Sequence, residues 1–143
     1  MEIATFEPGQ SKSISRHVTA ADVERFAEVS TDDNPVHLDE AYAKTTRFGR
    51  RIAHGMLGAS YVSALVGAHF PGPGTIYLGQ TLKFTAPVYI DDTLEVTATV
   101  TAFRADKHVL TLATTVVNQR GETVISGEAT CSTRGVAKNT ADA

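Results

Sequence analysis

Several protein classes are excluded by what the chain has little of. It carries one cysteine, Cys131, so it can form neither an intrachain disulfide nor a multi-thiolate metal site, a usage that fits a reducing compartment. The thiol reads as a small core hydrophobe. No basic run occurs, and 13 Lys and Arg against 16 Asp and Glu leave a net charge of −3, without the electrostatic footprint of a nucleic-acid binder. The stretch from Met1 to Gln10, with Glu2, Glu7 and Pro8, has neither the basic start nor the apolar middle of a signal peptide, which points to the cytoplasm. The apolar stretch Gly55 to Phe70 is too short to span a bilayer comfortably. It is flanked by an arginine-bearing loop and by Pro71-Gly72-Pro73-Gly74, so it reads as a buried helix and no membrane contact is expected.

Cofactor signatures are equally sparse. His17, His37, His54, His69 and His108 show no zinc-ligand spacing, so no metal is expected. Gly72, Gly74 and Gly79 lead into a strand instead of opening a helix, which does not fit a dinucleotide fingerprint, and there is no Walker lysine. Ser60 and Ser63 lack a Gly-x-Ser-x-Gly elbow and do not read as nucleophiles.

What remains is an ordinary globular chain of 143 residues, 42% hydrophobic, sized for one domain. We place that domain at residues 1–134 and expect a frayed polar tail over 135–143. Ser11 to Val18 reads as a short strand. From Thr19 the period becomes helical, with Val23, Phe26, Ala27 and Ser30 on one face and a Thr19/Asp22 capping arrangement, giving a helix over Ala20 to Ser30. Thr31-Asp32-Asp33-Asn34-Pro35 breaks it, a short helix is expected over Leu38 to Lys44, and a loop from Thr45 to Ala53 follows. After the long helix the period drops to two, and Ile76–Val88, Leu94–Phe103, Val109–Val117 and Thr123–Cys131 read as strands joined by turns short enough for antiparallel neighbours. The fold class is α+β, a curved antiparallel sheet wrapped around a long central helix.

Two places carry residue types suited to chemistry. In Asp32-Asp33-Asn34-Pro35-Val36-His37 a carboxylate and an imidazole lie five positions apart around a proline bend, close enough to act as an acid–base pair. The same residues also make an ordinary turn followed by a solvated histidine. His54-Gly55-Met56 opens the long helix, where free N–H groups and the positive dipole end favour an oxyanion; a glycine near an N-cap is the plainer reading.

In combination the two are more specific. The stretch Phe26 to His37 (FAEVSTDDNPVH) and then Ile52-Ala53-His54-Gly55-Met56 resemble the signature of the MaoC-like family of (R)-specific enoyl-CoA hydratases, as do Pro71 to Gln80 (PGPGTIYLGQ) and Phe84 to Val88 (FTAPV). The resemblance runs from about Phe26 to Ala129, with one departure at Thr31, where many members have glycine. It implies a hotdog fold, a homodimer whose sheets join edge to edge, and reversible hydration of a trans-2-enoyl-CoA to the (R)-3-hydroxyacyl-CoA, with acyl-CoA as substrate and no cofactor. It also implies Asp32 and His37 as the catalytic pair, Gly55 as the amide that receives the thioester oxygen, and Ser63 as a group that steadies the aspartate. Asn34, His54, Met56, Ser63, Val66 and Arg50 are expected to contact substrate, the modest size of Ser63 and Val66 favouring short to medium chains. Arg47, Arg51 and Lys83 join Arg50 as cations for the CoA nucleotide. A dehydratase acting on acyl carrier protein, a hotdog thioesterase and a non-catalytic thioester-binding subunit remain the rival readings.

Overall fold

A computed structural model describes residues 1–138. Its elements follow the chain as β1 (Ser11–His17), α1 (Ala20–Ser30), α2 (Pro35–Leu38), α3 (Glu40–Ala43), α4 (Gly55–Ala64), β2 (Ile76–Phe84), β3 (Thr93–Arg104), β4 (Val109–Asn118) and β5 (Thr123–Ser132). Between α4 and β2 the last helical turn widens into a π-helical stretch, Leu65–His69. All five strands form one antiparallel sheet in the order β1-β3-β4-β5-β2, against which α4 packs. This is the hotdog arrangement of α+β class.

Local chemistry accounts for most boundaries. Thr19 caps α1 reciprocally with Asp22: the Asp22 amide donates to Thr19 Oγ1 at 3.0 Å, and the Thr19 amide to Asp22 Oδ2 at 3.2 Å. Strand alternation sends Leu94, Val96, Ala98 and Val100 of β3, and Leu110, Leu112 and Val116 of β4, into a core shared with Leu57, Tyr61, Val62, Leu65 and Val66. Each fully buried Leu or Val contributes on the order of 1.5–3 kcal/mol. Cys131 lies in this core, fully buried, with its thiol pushed up to about 11 by burial. No described helix is long and apolar enough to cross a membrane.

Four expectations change. The helix expected over Leu38–Lys44 is two short helices: Pro35 opens α2, since its missing N–H costs nothing at a first helical position, and Asp39 caps α3 through Tyr42 N at 3.1 Å. The Asp91-Asp92 turn does not join neighbours. Strand β2 pairs with β5 along an outer edge while β1 takes the place beside β3. The long helix is apolar around its circumference but buried on one side alone, through Leu57, Gly58, Tyr61, Val62, Leu65 and Val66, and it leaves Met56 and Ser63 exposed. Finally, Gly135–Lys138 are not frayed: Val136 is buried and Ala137 bridges to Ile3, which ties this segment to the N-terminus. The rest of the expected tail, 139–143, lies outside the described residues.

Strand β2 is seated by a glycine. At Gly127 in β5 an added Cβ would fall 1.9 Å from the Thr81 carbonyl oxygen of β2, a backbone atom that cannot turn aside. Gly127→Ala is expected to cost about 1–3 kcal/mol, the usual range for overpacking, read as a lower urea midpoint. An unchanged midpoint would show that β2 shifts freely along the sheet.

Candidate active site

The turn after α1 is built by short side chains acting on their own backbone. Ser30 Oγ donates to the Phe26 carbonyl at 2.6 Å and accepts the Asp32 amide at 3.1 Å. Asp32 Oδ1 accepts the Asn34 amide at 3.3 Å, and Asn34 Oδ1 accepts the Val36 amide at 3.2 Å. Thr31, capping α1, sits in the left-handed region at φ 64°, which costs a β-branched residue about 1–2 kcal/mol and explains why glycine suits that position. The chain thus reverses direction within a few residues, and α2 turns His37 inward to 8% exposure while Asp32 stays exposed.

A carboxylate oxygen of Asp32, a ring nitrogen of His37 and one of His54 all lie within 4.8 Å of one another. His37 Nδ1 donates to the Ile52 carbonyl at 2.8 Å, which fixes the tautomer and leaves Nε2 able to accept a proton. His54 Nε2 donates to the Asp32 carbonyl at 2.9 Å. The two imidazoles stack with centroids 3.8 Å apart and planes at 28°, and Phe26 lies against the far ring, its centroid 4.8 Å from that of His54. Stacked rings aim their in-plane lone pairs side by side instead of converging them, and one His54 nitrogen already bonds Asp32, so this trio suits proton transfer better than metal ligation.

Burial pushes the His37 imidazole below its ordinary value. The Ile52 carbonyl pulls it back up, His54 lowers it further and Asp32 raises it. The balance disfavours the charged imidazole, and Nε2 stands free to accept a proton.

Asp32, His37 and Gly55 line one cavity of about 470 Å³, whose lining also includes Phe84, Thr85, Ala86, Pro87, Val88, Val124 and Ile125. Gly55 is the first residue of α4, so its N–H has no acceptor inside the helix. A Cβ there would lie 2.8 Å from the Phe84 ring, so glycine keeps this amide open at a point where the walls nearly touch. The site therefore combines a neutral base, a carboxylate and a free amide at a positive helix end around one volume.

The other expected site residues divide. His54 and Met56 line the cavity. Ser63 does not. It lines a second cavity of about 400 Å³ with Phe26, Met56, Ala59, Ser60, Tyr77, Gln80 and Leu82, and Met56 is common to both. Val66, expected beside Ser63, is fully buried in the core, because the side of the helix that carries Val62, Leu65 and Val66 faces the sheet. Asn34 uses its side chain as the cap of α2 and is absent from the cavity wall. Arg50 lies over the Tyr89 ring at 3.9 Å, also off the wall, whereas Arg47 lines it. Arg51 turns inward: its Nε donates to the His37 carbonyl at 2.7 Å and its guanidinium stands 3.9 Å from Glu24. Sequence reasoning missed Phe84 and the Ile52 carbonyl. The first is carried by the FTAPV stretch; the second, a backbone group, leaves no mark in a sequence.

Compared with known proteins, the chain matches the family described as MaoC-like domain over residues 4–123. It is 49% identical over 122 residues to an (R)-specific enoyl-CoA hydratase of Rhodospirillum rubrum, covering 85% of this chain and 84% of that one. To an (R)-specific enoyl-CoA hydratase of Aeromonas caviae it is 46% identical over 129 residues, 90% of this chain and 96% of the other. The solved structure of an (R)-hydratase from A. caviae involved in PHA biosynthesis superimposes with a TM-score of 0.86 at 46% identity, covering 89% of this chain and 96% of that one.

The His37 environment has a direct readout. In an NMR titration of the ring protons its midpoint should fall below the ordinary 6.5, since burial is the largest influence on it. A midpoint at or above that value would mean that water reaches the ring freely.

Proposed function

The chain belongs to the MaoC-like domain family, and on that premise we propose that it is an (R)-specific enoyl-CoA hydratase, a hydro-lyase that adds water reversibly to trans-2-enoyl-CoA. The observation that carries the reading is the convergence of Asp32, His37 and Gly55 on one cavity. Hydration places a hydroxyl on the β-carbon and a proton on the α-carbon, while the thioester oxygen gains enolate-like charge. One site must hold a water, move protons and stabilise an oxyanion. Asp32 and His37 hold a single water between them, so both parts of that water reach the same face of the double bond and one stereochemical outcome follows. The Gly55 amide receives the thioester oxygen, an effect worth about 3–4 kcal/mol when one such donor is lost elsewhere. No cofactor is required for these steps.

The two cavities meeting at Met56 support a path for the substrate. The thioester lies by Gly55 and a short to medium acyl tail passes Met56 toward Ser63 and Leu82. Arg47, on the cavity wall, faces the anionic nucleotide of CoA. The product has the form of a polyester monomer or of a fatty-acid intermediate. A CoA substrate and a lone buried cysteine fit the cytoplasm.

We also propose a homodimer. Strand β2 is an outer edge, and Ile76, Leu78 and Phe84 on it are 61%, 57% and 50% exposed beside Met56 at 54% and the uncovered side of α4. An open apolar edge of this kind invites pairing, and a second copy covers it self-complementarily by antiparallel β2–β2 contact, joining the two sheets.

With crotonyl-CoA the enoyl-thioester absorbance should fall and chiral analysis should return the (R)-3-hydroxyacyl-CoA. Asp32→Asn and His37→Ala should each lower turnover by at least about a hundredfold without unfolding the protein. A folded Asp32→Asn enzyme at near-normal rate would sink the assignment, and turnover confined to an acyl-carrier-protein thioester would replace CoA as the carrier. Sedimentation equilibrium should give twice the chain mass of 15.2 kDa, and Leu78→Glu should shift it toward one chain. A wild-type protein of single-chain mass would refute the edge pairing.

A further inference from the structure

His54 touches every part of the site yet has a contact pattern unlike that of a substrate ligand. It is 3% exposed and precedes Gly55 as the cap residue of α4 without capping the helix through its side chain. One face of its ring covers His37 and Phe26 packs against it; its Nε2–H holds the Asp32 carbonyl. Its Nδ1 is buried with no hydrogen-bond partner, and a proton there would have nothing to bond. The ring therefore carries its hydrogen on Nε2, where the Asp32 carbonyl requires it.

From this geometry we infer that His54 is a positioning residue for the hydration. It holds Asp32 through its backbone and His37 through the stack, in register with the Gly55 amide that follows it in sequence. The inference rests on the hydratase reading and adds to it a residue that acts through others. Two separable effects follow. The hydrogen bond fixes where the Asp32 main chain, and hence its carboxylate, stands; a misplacement of about 1 Å in such a pair costs on the order of a hundredfold in rate. The stack covers one face of His37 and keeps water from it, adding to the burial that disfavours a charged His37. Among the described residues, the other charged or titratable groups near His37 are Asp32 on the turn before α2, Arg51 at the His37 carbonyl with Glu24 of α1 beside it, and Arg47 on the lining of the same cavity. Ala86, Pro87, Val88, Val124 and Ile125 on that lining carry no charge.

Two variants separate the effects. His54→Phe keeps an aromatic ring over His37 and loses the donor to Asp32. It should lower kcat about ten- to a hundredfold with KM nearly unchanged, and should leave the acidic limb of the pH–rate profile close to that of the wild type. His54→Gln retains a donor of similar reach and loses the stack. It should recover part of kcat relative to His54→Phe, while the acidic limb and the His37 NMR titration midpoint both move upward. Folding of each is checked by circular dichroism and thermal melting. Folded variants with wild-type kcat and an unmoved His37 midpoint would overturn the inference. A raised KM with unchanged kcat and midpoint would overturn it as well, returning His54 to a substrate contact. The NMR midpoint is independent of turnover, so a wild-type protein that leaves crotonyl-CoA unchanged would remove the hydratase reading while the His54→Gln titration still decides the stack.

Discussion

The close approach of α4 to the sheet is the constraint on which the rest of the structure depends. Two glycines on that helix permit it: a Cβ at Gly58 would lie 2.7 Å from Ile125 Cδ1 in β5, and one at Gly55 would lie 2.8 Å from the Phe84 ring in β2. With both side chains absent, the helix comes close to the strands, and its first turn, with unbonded amides and a positive end, is brought over the paired residues Phe84 of β2 and Ile125 of β5. Core packing and the position of the Gly55 amide are thus set by the same contacts. A substitution that lifted the helix to relieve crowding would also move the Gly55 amide away from Asp32 and His37.

The site is asymmetric in a way that serves its chemistry. One wall, from the turn before α2 and the head of α4, supplies polar groups already committed to fixed partners: His37 to the Ile52 carbonyl, His54 to the Asp32 carbonyl, Arg51 to the His37 carbonyl. The rest of the lining, Ala86, Pro87, Val88, Val124 and Ile125, is apolar apart from Thr85. Burial weakens the charged form of His37, and a low dielectric strengthens the hydrogen bonds formed within such a cavity.

Legibility in the sequence followed the range of the interaction. Helix α1 could be read to its boundaries, because its capping box is local, and the strands to within a residue, because alternation is local, except that β2 ends at Phe84, four residues before the expected Val88. The placement of β2 could not, since periodicity marks that a segment is a strand without saying which strand it joins. The separation of Ser63 from Val66 was hidden for a related reason: the helix is apolar all round, so composition does not show which side meets the sheet. Asp32, His37 and Gly55 were legible as two motifs, and three-dimensional proximity turned them into one site. Arg51 was expected at the mouth on charge alone. Its inward course depends on the carbonyl of a residue fourteen positions away, a partner with no side-chain signature.

Two of those carbonyl contacts span the same stretch of chain. The His37 ring is bonded to Ile52 and the His37 carbonyl to Arg51, so the intervening segment, with α3 and the Arg47–Phe48 cavity edge, is pinched off at its base. Within it Ala43 is buried and the Phe48 carbonyl accepts the Tyr89 hydroxyl, but neither contact bears on the imidazole. Such a segment is a replaceable cassette. A change of length or composition confined to its exposed residues leaves both of these bonds in place, and with them the tautomer and bearing of the His37 ring. Selection can therefore alter the doorway of this protein without reopening its chemistry.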